Sequence, residues 1–248
     1  MSNSSLVTYT LLSPNCNHPR NHAIDTITIH CFVGQVTAKR GCEVFQPTSR
    51  QASCNYVVGY DGSIGLCVNE EDRSWCSGGS LSVNGITGKI NDHRAITIEV
   101  ASDTTDPYAV TEAAYEALIR LVADIAKRNN MGLLKWKADP SLVGKPEEQN
   151  MTVHRWFDRR ACPGDYLFER MGDIAEKANA INYPEEGSDE TVSEPVVNNV
   201  PADWAKEAWD KATATGTMDG TRPWEPITRQ EVAVILDRCG LLEGGESA

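Results

Sequence analysis

What this sequence lacks narrows its class first. No apolar run approaches the roughly 18 residues that a membrane-crossing helix needs, which excludes a membrane-spanning protein. The opening residues, MSNSSL, hold no basic segment leading into an apolar stretch, so no secretory leader is expected and synthesis in the cytoplasm is. Positive charge is scarce: 23 Lys and Arg stand against 35 Asp and Glu, a formal net charge of −12. Phosphate binding needs a basic surface, so nucleic acid is excluded as a main partner. The eight cysteines contain no Cys-x-x-Cys pair, and in a reducing cytosol most read as small buried thiols rather than disulfides.

The charge is unevenly spread. Residues 1–183 carry 21 acids and 18 bases, whereas residues 184–200 (PEEGSDETVSEPVVNNV) carry five acids, no base and no aromatic residue. That stretch has linker composition. It separates a first domain, 1–183, from a small C-terminal piece, 201–248, with 184–200 as the acidic linker.

Within the first domain, the β-branched run Ile24–His30 predicts a strand. Asn55–Val58 and Ser63–Val68 flank the turn dipeptide Asp61-Gly62 and predict a hairpin. Ala95–Ala101 predicts a further strand with one acid, Glu99, among apolar neighbours. Residues 112–130 repeat Ala114, Leu118, Leu121, Val122 and Ile125 at helical spacing, with Thr111 as cap and Val110 against Tyr115 as staple. Gly164–Ala180 predicts a second helix. The fold class expected is α/β, a mixed central sheet flanked by helices.

In the tail, residues 203–215 place Trp204, Ala205, Ala208, Trp209 and Ala212 on one helical face, and Gly216 ends the helix. Thr228–Glu231 forms a capping box before Val232, Val234, Ile235 and Leu236. A helix-loop-helix unit is expected.

Three residues have the chemistry of a metal site. His30 ends a strand, and His154 precedes Cys162 by eight residues. Two imidazoles and a thiolate suit zinc, with a fourth position open for water. Spacing alone also fits two structural histidines and a buried thiol. Cys31, next to His30, is expected on the opposite sheet face and is a poor ligand.

Several motifs occur together and in order. They are Ser13-Pro14, Asn21-His22, Ile27–His30, Asn55–Val58 before Asp61-Gly62, Arg73-Ser74-Trp75, Ile96–Val100, and His154 with Cys162-Pro163-Gly164. Over about residues 13–180 they resemble the zinc-dependent N-acetylmuramoyl-L-alanine amidases of the phage-lysozyme and peptidoglycan-recognition type. The resemblance implies zinc held by His30, His154 and Cys162, and Glu99 as proton carrier. It implies bacterial peptidoglycan as substrate, cut between N-acetylmuramic acid and L-alanine, and an endolysin released from its host's cytoplasm to the wall. A non-catalytic peptidoglycan-binding protein on the same fold is the alternative. Many members carry Lys where Arg160 stands; Arg160 is a candidate for oxyanion stabilisation or substrate binding. A family tyrosine is replaced by Cys54, which leaves proton handling to Glu99. Trp75, Tyr56 and His93 are candidate substrate-binding residues; Trp75 fits core packing equally well.

The tail resembles one S-layer-homology repeat in Trp204–Ala208, Asp219-Gly220-Thr221 with Pro223, and Pro226–Glu231. That implies binding to a secondary cell-wall polymer. A helical hairpin that docks or forms a homo-oligomer is the other reading.

Overall fold

The sheet that organises the molecule is assembled from short strands far apart in sequence. In the computed structural model, residues 2–184, 206–218, 229–239 and 241 are described. The strands are β1 (Tyr9–Thr10), β2 (Thr26–Cys31), β3 (Tyr56–Val58), β4 (Ile64–Leu66), β5 (Ala95–Val100) and β6 (Met151–Val153). They form one mixed sheet in the order β1-β4-β3-β5-β2-β6. Strands β3, β5, β2 and β6 are mutually parallel, and β4 runs antiparallel to β3 as the expected hairpin. The helices of this part are α1 (Ala38–Val44), α2 (Gly88–Arg94), α3 (Glu112–Arg128) and α4 (Asp165–Asn182). The expected α/β class with a mixed sheet and flanking helices is what is found.

Alternation along the strands gives the sheet two unlike faces. Ile27 and Ile29 of β2 and Ile96, Ile98 and Val100 of β5 join the buried face of α3 in the main core. All five apolar positions predicted for that helix are buried, and Thr111 caps it by accepting from Ala114 N at 3.2 Å. The other face is polar. Thr28 and Thr152 share a hydrogen bond at 2.8 Å, Asn91 of α2 donates to Thr28 at 2.9 Å, and Ser74 meets Thr97 at 2.7 Å. Helix α1 covers the far end of this face. A Cβ on Gly41 would lie 2.5 Å from Val57 Cγ1, so only glycine lets α1 approach β3 this closely.

Contacts divide the chain into two compact units, Met1–Glu185 and Glu186–Ala248. Within the second, α5 (Lys206–Ala214) and α6 (Arg229–Arg238) are described. Gly216 follows α5 with φ +71°, and Arg238 donates to the carbonyls of Gly216 and Thr217 at 3.2 Å. The linker apart from Pro184, with Trp204, Ala205, Asp219–Thr221, Pro223 and Pro226–Thr228, lies outside the described residues. No helix among the described residues is long and apolar enough to cross a membrane.

Candidate active site

Parallel, in-register pairing builds the site. Residues Ile29 and Val153 are partners across β2 and β6, so His154, the next residue, emerges beside His30. His30 and Glu99 are partners across β2 and β5. Three chemically active side chains therefore sit in a row at the carboxyl ends of parallel strands, where open α/β sheets place their ligands. Cys162 reaches them from the loop before α4, tethered by its carbonyl accepting from Arg155 N at 3.0 Å.

His30, His154 and Cys162 offer one nitrogen, one nitrogen and one sulfur, all within 4.8 Å of one another. Cys162 Sγ lies 3.5 Å from His30 Nδ1, and the two imidazole centroids are 5.0 Å apart. His154 Nε2 is 2.9 Å from the Gly78 carbonyl, which can only accept, so Nε2 carries the proton and Nδ1 the free lone pair. His30 Nε2 meets Ser77 Oγ at 3.3 Å. Burial lowers the pKa of both histidines, which keeps them neutral, and raises that of the Cys162 thiol. Neutral imidazoles and a thiol that ionises on coordination are a donor set that fits zinc.

Glu99 is half-buried beside this set. Its Oε1 is 3.7 Å from the Cys76 thiol, and its Oε2 has no hydrogen-bond partner. Burial, with the Cys31 thiol nearby, pushes its pKa up to about 8. A carboxyl poised near neutrality in a cleft has the chemistry to accept and release a proton.

Trp75, Glu99, His154, Arg160 and Cys162 line a groove of about 650 Å³. Trp75 is half-buried and donates from Nε1 to Asn17 at 2.7 Å. Arg160 is exposed at the rim and paired with Asp158. The structure does not bring Tyr56 or His93 to this groove. Tyr56 is fully buried in the main core, where its hydroxyl donates to Glu70 at 2.6 Å and accepts from Ser4 N. Cys54 precedes β3, so strand alternation does not extend to it, and it packs in a separate cluster with Cys42, Cys67 and Val57. His93 lies in the last turn of α2, and its Nδ1 accepts from Asn21 N at 3.1 Å. The expectation that Cys31 points away also fails. Cys31, the last residue of β2, lines the groove together with Cys162. The sequence reading did not include Arg50, Cys76, Gly78 and Tyr108, which also line it, or Ser77, which meets His30. Nothing in their local sequence marks them.

This fold, with a donor set that could hold a metal ion beside a half-buried glutamate, fits an amide hydrolase. The family model described as N-acetylmuramoyl-L-alanine amidase matches residues 20–165, more than half of the chain, and the chain belongs to that family. Solved structures share the fold. A solution structure of the PlyG catalytic domain is 17% identical with a TM-score of 0.51, covering 71% of this chain and 94% of that one. A mutant endolysin from Bacillus subtilis is 15% identical with a TM-score of 0.50, covering 69% and 99%. A crystal structure of an AmpD derivative is 20% identical with a TM-score of 0.50, covering 71% and 99%. None of the curated proteins matches the chain.

Proposed function

We propose that this amidase is a zinc-dependent peptidoglycan hydrolase of the endolysin kind. It cleaves the amide between N-acetylmuramic acid and the L-alanine of the stem peptide, at the wall, after release from its host's cytoplasm. The observation that carries this reading is the convergence of His30, His154 and Cys162, with Glu99 paired to His30 on the adjacent strand, where His154, Cys162 and Glu99 line a groove.

His30, His154 and Cys162 would hold a zinc ion, which would supply a Lewis acid for the carbonyl and lower the pKa of water to about 7. Glu99 takes a proton from the attacking water and delivers it to the departing amine. Arg160, at the rim, turns from Asp158 to the developing oxyanion. Trp75 offers an apolar face to the glycan or stem peptide. The C-terminal unit binds a secondary wall polymer or pairs two copies of the chain, adding avidity to the catalytic domain.

The test is a digest of purified peptidoglycan by native, chelator-treated and Cys162→Ala protein, read by mass spectrometry. Expected are stem peptides with a free L-alanine amine beside intact glycan, absent from the other two digests. Cleavage indifferent to chelator and to Cys162 overturns the zinc mechanism, and binding without products favours recognition over catalysis.

A further inference from the structure

We infer that Asp92 is a positioning residue of the metal site, acting through the tripeptide Cys76-Ser77-Gly78. This rests on the reading of His30, His154 and Cys162 as metal ligands.

Asp92 is buried within α2 and touches neither histidine. Its Oδ2 accepts from the backbone N–H groups of Cys76 and Ser77, both at 2.9 Å, and its Oδ1 from Ser77 N at 3.2 Å. The segment fixed in this way addresses both imidazoles. Ser77 Oγ meets His30 Nε2 and the Gly78 carbonyl meets His154 Nε2. Among the described residues these are the only hydrogen bonds the two rings make outside the donor set.

Packing holds the segment from both sides. A Cβ on Gly88, the first residue of α2, would fall 1.4 Å from the Ser77 carbonyl oxygen. A Cβ on Gly79 would fall 2.1 Å from the carbonyl of Phe157, in the turn after His154. The backbone is thus wedged between α2 and that turn, and Asp92 sets its height. One carboxylate thereby orients two ligands that come from different strands. Outer partners of ligating histidines fix tautomer and ring angle, and their loss weakens metal binding by about 10–100-fold.

The test measures zinc affinity by chelator competition and the absorption spectrum of the cobalt-substituted protein, for native, Asp92→Asn, Ser77→Ala and Cys162→Ala chains. Expected for Asp92→Asn is zinc binding weakened by about 10-fold or more and shifted cobalt ligand-field bands. Ser77→Ala, which frees one ring only, shifts both in the same direction by less. Asp92→Asn with a lower melting temperature but native zinc affinity and cobalt spectrum overturns the inference and leaves Asp92 a structural residue. Should Asp92→Asn not fold, Ser77→Ala decides: native affinity and spectrum overturn the inference. A different failure, Cys162→Ala with native zinc affinity, removes the metal-site reading itself.

Discussion

At the residue scale, Glu99 is the group whose environment most separates it from a surface carboxylate. In the metal-free protein its pKa is about 8 against a reference value of 4.5. Between those values the native state holds a proton that the unfolded chain has released. Stability of the metal-free protein therefore falls as pH rises from about 4.5 through about 8. Glu99→Gln removes this contribution. Melting of chelated protein at pH 5 and pH 8 is expected to drop further for the native chain than for Glu99→Gln; equal drops would mean that Glu99 is solvated. His30 and Glu99 were both legible as chemically active residues, but their adjacency was not. Alternation assigns a side chain to a face of its own strand; it does not say which strands are neighbours. Tyr56 and Cys31 show the other limit. Alternation puts Tyr56 with Val58 on the core face, away from the groove, and Cys31, the last residue of its strand, lines the groove despite following a ligand directly.

At the element scale, α3 was legible nearly to the residue because seventeen residues give its stripe several full turns. Thr111→Ala is expected to cost about 1 kcal/mol by removing the cap, lowering the melting temperature by roughly 2–4 °C. Helix α1 (AKRGCEV) was not legible, having seven residues, an internal glycine and no stripe. Its glycine is explained only by contact with β3. Gly41→Ala is expected to cost about 1–3 kcal/mol through overpacking against Val57, seen as a lower urea midpoint with an unchanged slope. Strand β6 is three residues long and has no alternation to read; pairing with β2 makes it a strand, and it carries His154 to the site.

At the scale of the whole molecule, the catalytic and C-terminal units are separate compact bodies. A fragment of residues 1–184 is expected to keep the melting transition of the catalytic unit and to hydrolyse isolated peptidoglycan. Its co-sedimentation with intact walls is expected to fall. Unchanged co-sedimentation, with a change from oligomer to monomer in analytical ultracentrifugation, would assign the tail to self-association instead. The net charge of −12 supports neither role on its own, since the first 183 residues carry nearly balanced charge.

The sequence by itself determined the residue types of the site, the order of their motifs, the long helices and the near-neutral catalytic segment. Those features are local: they depend on identity, spacing and periodicity. The tertiary structure alone decided which of the eight cysteines face the groove, that Tyr56 belongs to the core, and that Asp92 hydrogen-bonds the segment that meets both histidines. Each of these depends on the register of parallel strands drawn from distant parts of the chain, and on where a strand ends. Pairing between strands and the packing of helices on them set both, and no window along the sequence contains that information.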